Sequence, residues 1–139
     1  MTARLATAYG VTFLAFVIID VPYLMMAGVP MFREVLGEVL LQEARLAPAV
    51  LFYLLFPAGI VWFASRPALA DGSLATAAIN GGAFGFFAYM TYELTNHATM
   101  RLWSWNLVVV DTLWGTFLTA VSAVIGVVVA RRIAVRPSA

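Results

Sequence analysis

The chain has 139 residues, 63% of them hydrophobic and 11% charged, with a net charge of +1 and a mean hydropathy of +0.95. A soluble domain carries about 25% charged residues, so this chain lacks the polar surface to live in water, and its length suits a single domain over 1–139. All eight basic residues are Arg and there is no Cys, which excludes a lysine Schiff base, a thiol nucleophile, a disulfide and a thiolate metal site, while the small net charge excludes a general nucleic-acid-binding field.

A helix needs about 20 apolar residues to cross a hydrocarbon core of about 30 Å. Four runs meet that length: 5–29, 46–64, 74–98 and 106–130. The first is too long for a signal peptide, contains Asp20 and is followed by no small-x-small cleavage site, so it reads as a retained helix. Residues 30–45, PMFREVLGEVLLQEAR, place apolar side chains at 31, 32, 35, 36, 39 and 40 with charges off that face. This pattern predicts an amphipathic helix in the membrane interface, with a helical loop packed on the bundle end as the alternative. The break after the second run, 65–73, carries Pro67, Asp71 and Gly72 as turn residues. The fold class is therefore an all-α integral membrane protein with four transmembrane helices and one interfacial helix between spans one and two. No internal repeat emerges: IIDVPY in span one and VVDTLW in span four share little beyond an Asp.

Four spans place both termini and the 65–73 loop on one side. That side carries Arg4, Arg66, Arg131, Arg132 and Arg136, against Arg33, Arg45 and Arg101 on the other. The positive-inside rule then puts both termini in the cytoplasm of a bacterial inner-membrane protein. Trp103 and Trp105 fall where an outer aromatic belt is expected.

Three carboxylates lie inside the spans: Asp20, Glu93 and Asp111. An Asp at the helix centre costs roughly 2.5–3.5 kcal/mol on insertion scales, and such residues face the bundle interior and find partners. At 1.5 Å per residue, Glu93 and Asp111 both lie ~9 Å below the outer boundary and Asp20 ~13 Å. The three acids thus converge on one layer. On the third span Gly82, Gly85, Tyr89, Glu93, Asn96 and His97 fall within about 120°, and Gly81 with Gly85 forms a G-x-x-x-G packing motif. On the fourth, Asp111 shares its side with Trp114, Gly115, Leu118 and Ser122; on the first, Asp20 aligns with Tyr9, Phe13, Phe16 and Tyr23. Pro22 and Pro57 mark kinks.

YELTNHAT (residues 92–99) followed by VVDTLWGT, with IID in the first span and LFYLLFPAGIVWFASRPAL in the second, resembles a group of small four-helix bacterial membrane proteins known as domain of unknown function 2177. The likeness covers nearly the whole chain, with Glu93 in a place the family pattern gives to Asp. It implies the fold and the membrane location and carries no mechanism.

Several functions fit these residues. A buried network of Asp20, Glu93, Asn96, His97, Asp111 and Trp114 fixes helix register in the structural reading. Interhelical hydrogen bonds in membranes average only about 0.6 kcal/mol, a weak return for inserting three acids. Glu93, His97 and Asp111, with Asp20, are the candidates for a carboxylate-rich site holding iron, manganese or zinc. One His is thin for this, and Met25, Met26, Met31, Met90 and Met100 are packing residues more than copper ligands. Acids beside aromatics suit a small molecule, a cation or a lipid headgroup, bound by Asp20, Tyr23, Tyr89, Glu93, Asn96, His97, Asp111 and Trp114. An accessory subunit of a membrane complex and a metal-dependent enzyme acting on lipids stay open, as do homo-oligomerisation and the identity of any cofactor. Ligand binding or transport from the lipid bilayer, with no nucleic-acid partner, is the reading favoured by the acids.

Overall fold

The computed structural model describes residues 1–134 and contains no strand among them. Arg136, one of the five Arg in the charge asymmetry, lies outside the described residues. The helices are α1 (Thr2–Tyr23), α2 (Val29–Leu36), α3 (Leu46–Ile60), α4 (Arg66–Asp71), α5 (Leu74–Thr99) and α6 (Trp105–Ala134). Three helical stretches are long and apolar enough to cross a membrane: Thr2–Val39, Leu46–Asp71 and Trp105–Ile133. At 26 residues α5 has the length; Asn80, its glycines and its polar end make it less apolar.

Pro30 and Pro67 are accommodated in the same way in the first two stretches, while Pro22 and Pro57 lie within α1 and α3. A π-helical turn over Leu24–Gly28 joins α1 to α2, with Pro30 two residues beyond it. Another over Val61–Ser65 joins α3 to α4, with Pro67 two residues beyond it. Proline removes a backbone donor and crowds the preceding turn, and a π-helical turn is one way to absorb that disturbance without ending the helix. Pro67 leaves the Phe63 carbonyl without its α-helical donor, and the Asn80 side chain of α5 donates to that carbonyl at 3.2 Å. A mid-span Asn thus has a structural purpose.

Two sequence expectations change here. The 65–73 break is helical as far as Asp71, because Pro67 sits in the first turn of α4, where a proline is tolerated. The turn itself is only Gly72 and Ser73: Gly72 takes φ 75°, and Asp71 accepts from the Ser73 N–H at 2.8 Å and from the Thr76 hydroxyl at 2.5 Å. Ser73 caps α5 by accepting from the Thr76 N–H. The second correction concerns 30–45, which is not one amphipathic helix. The helix continuing from α1 stops at Leu36, Gly37 takes φ 54°, one 3₁₀ turn follows over Gly37–Val39, and 40–45 is irregular. Met31, Phe32, Val35 and Leu36 pack on Trp103, Leu107 and Val108, which is the packed-loop alternative for the first part of this segment.

α5 and α6 form the most extensive helix pair, and α1 covers another face of α6. Small residues permit the approach. A Cβ on Gly85 would collide with the Gly115 carbonyl and Thr119, and one on Gly81 would meet Ala123 at 3.0 Å and the Thr119 carbonyl at 3.1 Å. Phe16, Ile60, Ala64, Leu118, Ala123 and Val127 fill the centre. Large apolar side chains such as Ile18, Trp62, Phe63, Ile79, Phe87, Leu113 and Phe117 point outward from every long helix, the surface expected of a protein solvated by lipid.

Candidate functional site

The π-helical turn at Val61–Ser65 packs closely on α5, and just before it, at the end of α3, a Cβ on Gly59 would meet Phe84 at 2.8 Å. Along the rest of α3 the backbones part, and rings bridge the gap: Phe56 lies 5.2 Å from Phe84 and 6.0 Å from Tyr89 between centroids. The separation leaves a cleft of about 470 Å³, within the range of small-molecule sites. Every long helix contributes to it: Asp20 and Tyr23 from α1, Phe32 from α2, Phe52, Tyr53 and Phe56 from α3, Tyr89 and Tyr92 from α5, Asp111 and Trp114 from α6.

Asp20 is the anchored acid. The Tyr53 hydroxyl donates to Oδ2 at 2.7 Å and the Trp114 indole N–H donates to Oδ1 at 3.1 Å. Three helices are joined through one carboxyl group that is 7% exposed. Trp114 also stacks on Tyr23, with centroids 3.8 Å apart and planes at 13°. The aligned indole therefore serves Asp20 across the helices, while its proximity to Asp111 along α6 is only a shared face. The Tyr23 hydroxyl is buried, has no hydrogen-bond partner among the described residues, and lies within electrostatic reach of both Asp20 and Asp111.

Asp111 lines the cleft at 9% exposure, and Glu93 stands behind it, fully buried. The two carboxyls are within interaction range across the α5–α6 interface. Glu93 Oε2 accepts the Trp103 indole proton at 2.7 Å, while among the described residues no N–H or hydroxyl donor reaches Oε1. Trp103 is thus a buried anchor at 6% exposure, not a member of an outer aromatic belt; Trp105, at 64%, is exposed as expected. Trp103 reaches Glu93 because the five-residue α5–α6 connection folds it inward, and Ser104 then caps α6 by accepting from the Leu107 N–H.

Of the eight sequence-selected residues, Asp20, Tyr23, Tyr89, Asp111 and Trp114 line the cleft. Glu93 supports it from behind. Asn96 and His97 do not reach it: one turn beyond Glu93, the His97 ring lies edge-on to Trp105 at 4.4 Å. Among the described residues no group of three His, Asp or Glu side chains is placed to hold a metal ion. Glu93, His97 and Asp111 therefore do not form the three-donor set that iron, manganese or zinc needs. Sequence reading passed over Tyr53 and Trp103. Tyr53 had a signal, a lone phenol in the otherwise apolar LFYLLFP. Trp103 had none, since an aromatic at a span end is the ordinary belt pattern.

No curated protein and no solved structure matches the chain. A family model described as Predicted membrane protein (DUF2177) matches residues 5–128, and with nearly all of its helical core covered the chain belongs to that family.

Proposed function

We propose that the protein is a four-span bacterial inner-membrane protein, with both termini cytoplasmic, that binds or transports a small ligand, cation or lipid in the outer leaflet. Beside the three long apolar stretches, the remaining span is α5. Its 26 residues reach about 39 Å at 1.5 Å each, it runs along α6, and its outward side chains Ile79, Phe86 and Phe87 are apolar. The acids lie toward the α5–α6 connection, the side with fewer Arg.

One observation carries the ligand reading. The cleft presents Asp111, a nine-tenths-buried carboxyl, to a cavity of about 470 Å³ whose other walls, apart from Asp20, are rings and small apolar side chains. A purely structural acid is expected to be saturated by protein donors, as Asp20 is. Asp111 instead faces another acid and an open space.

Mass spectrometry of small molecules co-purifying with the wild type and with Ala88→Phe tests this. Ala88 lines the cleft, so a phenyl ring there fills it. The expected result is one or more species present with the wild type and absent from the variant. Identical complements from two folded proteins would overturn the reading.

A further inference from the structure

We infer that the cleft takes an organic cation with an apolar body, a quaternary or protonated amine carried on a hydrocarbon or aromatic group. This rests on reading the cleft as a ligand site and names the class of ligand.

Two carboxyls, Asp20 and Asp111, line the cleft, and among the described residues no Arg or His does. An anionic headgroup would meet acids without a counter-charge. A neutral apolar ligand would cover both acids and remove their remaining contact with water, leaving them uncompensated in a low-dielectric site. A bare metal ion is held best by three or more carboxylate or imidazole ligands, and among the described residues no group of three His, Asp or Glu is placed for it. An alkylammonium group satisfies every part of the lining. Its charge balances the carboxyls, and its weakly hydrated methylene or methyl groups lie against ring faces. Tyr23 and Trp114 form a stacked pair beside Asp20, and Phe56 and Tyr89 present edge and face across the cleft. Rings arranged around a carboxyl are the usual surroundings of a bound quaternary ammonium. The Tyr53 and Trp114 donors hold Asp20 in a fixed position with both oxygens oriented, so the anion is preorganised.

The test uses two probes of one shape: benzyltrimethylammonium and its uncharged carbon isostere, neopentylbenzene. The Trp114 indole N–H is a reporter inside the cleft, and its ¹H–¹⁵N resonance in nanodiscs can be assigned by Trp114→Phe. The expected result is a saturable shift of that resonance by benzyltrimethylammonium, with the isostere at least about tenfold weaker, a difference of about 1.4 kcal/mol. Asp111→Asn is expected to erase the preference while the ligand-free spectrum and the melting temperature stay close to wild type. Equal binding of both probes to the wild type would sink the cation class and leave the cleft as a ligand site. No saturable shift with either probe would sink both. The wild-type comparison decides even where Asp111→Asn fails to fold.

Discussion

Trp103 donates its indole proton to Glu93 at 2.7 Å, and that bond ties the α5–α6 connection to a fully buried acid in the middle of the helix pair. Replacing Trp103 with Phe keeps a ring among Phe32 and Tyr92 and removes the donor. Glu93 Oε2 then loses its indole donor, which costs roughly 1–3 kcal/mol. Unfolding in mixed micelles measures it. A Trp103→Phe protein as stable as wild type would show that Glu93 does not depend on this bond.

The three acids divide by their partners. Asp20→Asn turns an amide toward one of two fixed donors, Tyr53 or Trp114, and is expected to destabilise by about 1–3 kcal/mol. Asp111→Asn and Glu93→Gln remove one of two carboxyl charges facing each other, so they are expected to hold the melting temperature within a few degrees while weakening ligand binding. Asp111→Asn proving more destabilising than Asp20→Asn would reverse this assignment and favour a structural network.

Two buried carboxylates at interaction range repel, and a proton shared between Glu93 and Asp111 in the ligand-free protein is the arrangement expected to relieve that repulsion. Binding of benzyltrimethylammonium then displaces a proton. Calorimetry in buffers of different ionisation enthalpy is expected to register proton release for the wild type and less for Glu93→Gln. Identical heats in every buffer would remove the shared proton from the account.

Packing at the α5–α6 seam makes a graded prediction. Gly115→Ala drives a methyl group into the Tyr89 ring, and Gly85→Ala drives one into the Gly115 carbonyl and Thr119. Each is expected to destabilise by at least about 1–3 kcal/mol. Gly82→Ala meets only Ala120 and Thr116 at 3.8 Å, and is expected to stay within about 0.5 kcal/mol of wild type. Equal effects at Gly82 and Gly85 would place the seam on another face of α5.

Orientation is tested by fusion. A reporter active only in the periplasm is expected to be silent at the C-terminus and active when inserted in 41–44. The reverse pattern would overturn the charge argument.

The sequence made the helices and the polar layer legible because both rest on local rules. Span length follows from bilayer thickness, and a common depth for Asp20, Glu93 and Asp111 follows from helix rise. The partners were legible only in part. Trp114 and Tyr23 lie on the faces that periodicity assigns them, yet nothing local says that the Trp114 N–H goes to α1 and not to its neighbour on α6. His97 sits four residues from Glu93 and misses the cleft, because a one-turn offset along a helix is also a displacement of about 6 Å toward the surface. The 30–45 segment kept its apolar face and lost its last turns to Gly37, whose positive φ a periodicity count does not weigh.

The π-helical turn at Val61–Ser65 holds one residue more than an α-helix needs over the same span. It acts as a phase shifter. Removing a single residue from it would leave a helix that is locally sound but turned by about 100° about its axis on one side of the deletion. With α4 held by the Arg131 bond to the Ala68 carbonyl, the rotation would fall on α3. Tyr53 would swing off Asp20, and the wall of rings would face lipid. The shape of the cleft is thus encoded partly in the count of residues below it, so a length change at a site that touches no ligand would rewrite the ligand surface as thoroughly as replacing the residues that line it.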